Sequence, residues 1–74
     1  MDTTTLADVQ GALAAVTTDG EARAAIRRAA RIVGVDRNQP LDLRALVRVC
    51  SALAAEGGSI QLLAEEIAGD ALKI

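Results

Sequence analysis

Residues Thr18 to Gly34 read TDGEARAAIRRAARIVG, and the order of residue types in this stretch decides the fold class. Thr18 followed three residues later by Glu21 is a capping-box pair, whose side chains serve backbone N–H groups that a first helical turn leaves unpaired. Gly34, just after Val33, is the matching stop, because glycine takes up left-handed backbone without a Cβ penalty. At about 100° per residue, Ala22, Ile26, Ala29 and Val33 gather on one face and Arg23, Arg27, Arg28 and Arg31 on the opposite side. A helix with so sharp a division needs other apolar faces to pack against, which predicts an all-α domain.

The chain on either side supplies those faces. Upstream, Leu6, Val9, Leu13 and Val16 recur at the three-and-four spacing of one helical stripe, predicting a helix from about Thr4 to Val16 with Asp8 facing elsewhere. Downstream, Asp36, Asn38 and Pro40 make Val35 to Leu41 a connecting loop. Asp42 then caps a third helix, with Leu43, Leu46, Val47, Cys50, Leu53 and Ala54 on its inward arc and Arg44 and Arg48 one turn apart outside. Gly57 and Gly58 break the chain after Glu56, and Ser59 is placed to cap a fourth helix from Ile60 to Ala68, with Leu63 and Ile67 inward. Gly69 and Asp70 predict a further interruption, leaving Ala71 to Ile74 as a short closing turn or fifth element. The expectation is a single domain over residues 1–74: a compact bundle of four main helices.

At 74 residues the chain is one domain at most, and a domain of that size buries only ~60% of its unfolded surface. Phe, Trp and Tyr are absent, so Leu, Ile, Val and many Ala must build the core through close helix packing. A lone cysteine, Cys50, leaves no intramolecular disulfide, which fits a reducing compartment and a cytoplasmic location. Met1 to Thr5 is polar and acidic, without the basic-then-apolar order of a signal peptide, and no apolar run approaches membrane-spanning length. No membrane partner is expected.

Charge is the second informative pattern. Residues 1–22 carry −4, from Asp2, Asp8, Asp19 and Glu21; residues 23–48 carry +5, from seven arginines less Asp36 and Asp42; and residues 49–74 carry −3. The net −2 conceals this division. Biased base composition is one reading of arginine exceeding lysine seven to one, but it does not explain the confinement of every arginine to the middle third. A basic middle between acidic flanks suits association with a charge-divided partner, including a second copy, because complementary potentials steer encounter and exclude wrong partners.

Catalytic chemistry is poorly provided for. Histidine is absent, removing the commonest general base and metal ligand. Cys50 lies on an inward helical arc and reads as a packing residue, with redox sensing the lesser alternative. Adjacent Glu65 and Glu66 diverge by about 100° on a helix and so share neither a metal nor a proton. No catalytic residue, metal site or cofactor is expected. Gly57, Gly58 and Ser59 lack the lysine and preceding strand of a phosphate loop. A serine ahead of a helix also raises an acyl carrier protein, but only fifteen residues follow Ser59, too few for two further helices. Nucleic acid is disfavoured by the net acidity, the lack of stacking aromatics and the absence of a recognition-helix signature around residues 34–42.

From Asp42 to Asp70 the sequence resembles the effector-associated domains of bacterial conflict systems, small helical adaptors at the ends of proteases, caspase-like enzymes and NTPase proteins. The resemblance is carried by Asp42, Leu46, Val47 and Cys50, then Gly57 and Gly58, then Leu62, Leu63, Ile67, Gly69 and Asp70. It covers 29 of the 74 residues, and the complete lack of aromatics departs from the family pattern. It implies an adaptor that recruits an effector to its sensor by like-with-like domain pairing, close in logic to eukaryotic death-fold adaptors, with no catalysis of its own. Residues and resemblance together predict a cytoplasmic protein-interaction domain. Arg23, Arg27, Arg31, Arg44 and Arg48 would meet carboxylates of another helical adaptor or a second copy, and Glu65, Glu66 and Asp70 would be its own acidic counterparts. The alternatives are a nucleic-acid accessory domain using the same arginines and a docking module of a biosynthetic assembly line.

Overall fold

The computed structural model describes residues 4–73. Asp2, one of the carboxylates counted above, and Ile74, at the apolar end of the chain, lie outside the described residues. Four helices follow in order: α1 (Leu6–Ala14), α2 (Asp19–Val33), α3 (Leu43–Ala54) and α4 (Gly58–Leu72). Each packs on the next, most extensively α3 on α4. The Cα radius of gyration of 10.9 Å matches the ~11 Å of a compact chain this long.

The ends of α2 follow the local code. Thr18 accepts a hydrogen bond from the Glu21 N–H at 3.1 Å, and Gly34 closes the helix in left-handed conformation at φ +78°. The capping box is only half realised, since the Glu21 carboxylate turns to the Thr17 hydroxyl instead of the Thr18 backbone. A complete box forms at the start of α1. There Thr5 accepts from the Asp8 N–H at 3.4 Å and the Asp8 carboxylate accepts from the Thr5 N–H at 3.0 Å, so α1 begins at Leu6 and Asp8 is a capping residue. Asp42 caps α3 by accepting from the Ala45 N–H at 2.8 Å.

The fourth helix corrects two expectations. Ser59 is not its cap: α4 starts at Gly58 behind Gly57, with no side-chain cap bond, and positive φ at both glycines (+78° and +58°) makes the tight turn out of α3. Gly69 and Asp70 do not interrupt it either, and α4 runs unbroken to Leu72, leaving no separate fifth element among the described residues. A glycine in mid-helix costs only about 0.5–1 kcal/mol relative to alanine, and Ile67, Ala68 and Ala71 on either side of it pack against the core.

The core is entirely apolar. Leu6, Val9 and Leu13 of α1 meet Ala22, Ala25, Ile26 and Ala29 of α2, Leu46, Val49, Cys50 and Leu53 of α3, and Ala64 of α4. Four buried alanines supply the close helix approach that a core without aromatics requires. The inward arc of α3 is rotated from the expected one: Val49 is fully buried, whereas Leu43 is 51% exposed and Val47 only half-buried. Val16 likewise lies beyond the end of α1 and is exposed. Leu41 fills the corner left by the long loop, buried and held by its N–H donating to the Thr4 carbonyl at 2.8 Å in an isolated antiparallel bridge.

Candidate functional site

The outward charges are the chemically distinctive groups, and the structure separates those satisfied within the domain from those left open. Among the described residues only two ion pairs form. Arg28 and Glu56 make a bidentate fork, Nε to Oε2 at 2.8 Å and Nη2 to Oε1 at 2.7 Å, tying mid-α2 to the turn between α3 and α4. This contact raises the Arg28 pKa above the ordinary arginine value and holds the Glu56 carboxyl below the usual glutamate range. Lys73 lies 4.0 Å from Asp70 one turn earlier, both well exposed.

Arg23, Arg27 and Arg31 on α2 and Arg44 and Arg48 on α3 are all exposed and have no carboxylate partner among the described residues. They do not line one common depression. Arg23 and Arg27 flank a crevice of about 240 Å³ floored by Leu6, Ile26 and Ala30, and the third cation on its rim is Arg37 from the loop before α3. The Arg37 guanidinium is fixed by donating to the neutral Gln10 side chain of α1, which positions it without cancelling its charge. Sequence spacing had no means of bringing Arg37 here, because the path of the loop depends on Leu41 being drawn into the core. Arg48 borders a separate shallow depression with Ile32, Val33 and Ala52, and Ile32 itself is 71% exposed.

The acidic candidates lie on α4. Glu65 and Glu66 are exposed, and neither has a cationic partner among the described residues; Glu65 accepts only from the Gln61 amide, at 3.0 Å. Leu62 stands three and four residues before them, which places all three on one outward face. It is 69% exposed, and together with Val16, Leu63 and Glu66 it borders a further depression. Asp70 belongs to the same helix but already faces Lys73.

Burial among aliphatic neighbours pushes the Cys50 thiol pKa up, which favours its protonated form. Among the described residues no group of His, Cys, Asp or Glu is arranged to hold a metal, and no helix is long and apolar enough to cross a membrane. A depression of about 510 Å³ beside Gly57 and Ser59 is lined by Glu21 and by the Arg28–Glu56 pair, whose charges are already joined. Comparison of the chain with family models, with curated proteins and with solved structures finds no match.

Proposed function

We propose that this chain is a non-catalytic, cytoplasmic adaptor domain that joins an effector to its sensor or NTPase partner by pairing with another helical domain of the same or a related type. One observation carries the reading: five arginines on α2 and α3 and two glutamates on α4 stay unpaired within the described residues. A solvated surface with no partner gains from local ion pairs, typically ~0.5 kcal/mol each. Leaving the two signs apart forgoes that gain and keeps both available for complementary surfaces elsewhere. The likeness of Asp42 to Asp70 to effector-associated domains supports the same reading, as does the lack of histidine and the protonated, buried Cys50.

Reversing Arg27 and Arg48 together to glutamate tests it. Both residues are exposed, so far-ultraviolet circular dichroism should be unchanged while association with a second copy or with a related adaptor domain is lost. Association of undiminished strength removes the arginine surfaces from the account. The convergence of Arg23, Arg27 and Arg37 on one crevice also suits a phosphate-bearing partner. Tight, salt-sensitive retention of DNA or RNA by the wild-type domain would favour that second reading.

A further inference from the structure

The two open charge clusters are each built around an apolar element, and the apolar elements are complementary in form. On one side, the floor of Leu6, Ile26 and Ala30 is concave and rimmed by Arg23, Arg27 and Arg37. On the other, Leu62 projects from α4 with Glu65 and Glu66 beside it. We propose that Leu62 of one copy seats in the arginine-rimmed crevice of a second copy, with Glu65 and Glu66 reaching its guanidinium groups. This rests on the adaptor reading above and deepens it by naming the surfaces and the geometry.

Three features favour this occupant. The charges match in sign, with three cations uncancelled by carboxylates on the crevice and two uncancelled carboxylates on the knob. Arg37 and Glu65 are each hydrogen-bonded to a neutral glutamine, Gln10 and Gln61, which leaves their charges uncancelled. Leu62 is among the most exposed large apolar side chains of the domain, and covering it against Ala30 and the aliphatic stems of Arg23 and Arg27 supplies an attraction that salt does not screen. An apolar centre inside a charged rim is the arrangement of a specific interface.

Crevice and knob share no residue, so one copy can use both at once. Two copies that each seat the knob in the other's crevice close as a two-fold dimer, whereas head-to-tail seating builds rings or open filaments.

The test is complementation between Arg27→Glu, which spoils the crevice, and Leu62→Glu, which spoils the knob. Both positions are exposed, and circular dichroism checks that each variant keeps its helicity; Leu62→Ser is the milder second variant on the knob. The wild-type domain should form dimers or larger species. Each variant alone should assemble about tenfold more weakly or not at all. Their equimolar mixture should give a complex of twice the 7.6 kDa chain mass and nothing larger, because one intact crevice meets one intact knob. Variants that assemble as the wild type does, or a mixture no better than its components, would overturn the proposal. In that event salt-sensitive wild-type association would leave the adaptor reading standing; a wild-type domain that never self-associates removes the contact between copies altogether.

Discussion

α2 and α4 are each fifteen residues long, yet they are specified in different ways. α2 carries its own instructions: a threonine cap, acids Asp19 and Glu21 in its first turn, Arg31 in its last, and a glycine stop, each favourable to the helix dipole or to its end groups. Four of its residues are buried and four arginines lie on its outer side, with Ile32, also outward, the exception to the division. α4 has no side-chain cap, an internal Gly69, Ala64 as its one fully buried residue, and Leu62 and Leu72 pointing outward. It is helical because α3 offers an apolar surface along much of its length, with Ile60, Leu63, Ile67 and Ala71 packing partly buried against the core. Locally coded ends specify one helix and tertiary packing the other, and each leaves large apolar side chains outward beside its charges, Ile32 on α2 and Leu62 and Leu72 on α4.

The largest test of that contrast is a pair of truncations. Ile26→Ala on α2 removes a side chain that is 3% exposed and should cost about 2–5 kcal/mol, whereas Leu62→Ala on α4 should change stability by no more than about 0.5 kcal/mol. Chemical denaturation of both variants measures the difference, and equal losses would mean that α4 is buried as deeply as α2.

Glycine substitutions should split by sign. A Cβ meets nothing within 4 Å at either Gly34 or Gly69, so only backbone conformation distinguishes them. Gly34→Ala must hold φ +78° and should lose about 1–2 kcal/mol. Gly69→Ala sits in ordinary helix and should gain about 0.5–1 kcal/mol. A loss at Gly69 would show that the interruption suggested by its sequence is real.

Capping gives a smaller separation. Thr18→Ala should cost about 1 kcal/mol and Ser59→Ala close to nothing, since only Thr18 accepts a backbone N–H. Thermal melts of the two variants side by side decide it.

The weakest effect concerns the link between the two regions. Glu56 is held below the usual glutamate range by Arg28, so the folded state binds this proton less readily than the unfolded chain. The pair's contribution is therefore present above the ordinary glutamate pKa of about 4.3 and fades as the pH falls through the lower folded value. Glu56→Gln should flatten the acid limb of a stability-against-pH curve slightly while leaving neutral-pH helicity intact. An unaltered acid limb would show that the fork contributes nothing in solution.

The same contrast explains what was legible in the sequence. Caps and stops act within four residues, so Thr18, Gly34 and Asp42 could be read directly, and so could the all-α class and the outward arginines. The inward face of α3 was not fully legible, because its apolar positions cover more than half the helix circumference and only the approach of α2 and α4 selects Val49 over Leu43. The course of α4 through Gly69 depends on α3 in the same way. Arg37 joins Arg23 and Arg27 only because Leu41 and its bond to Thr4 fold the loop back, a contact between residues 37 positions apart. The acids on α4 were legible, but the exposed Leu62 between them depends on which side α3 covers.

The most direct measurement is light scattering coupled to size exclusion on the wild-type domain, detected by refractive index because the chain has no aromatic residue, across concentration at low and high salt. The account predicts a mass that rises with concentration at low salt and falls toward the single-chain 7.6 kDa as added ions screen the arginine and glutamate surfaces. A constant 7.6 kDa under every condition would contradict pairing between copies and leave only a partner of related type, and association that salt leaves unchanged would contradict the role of the charged surfaces.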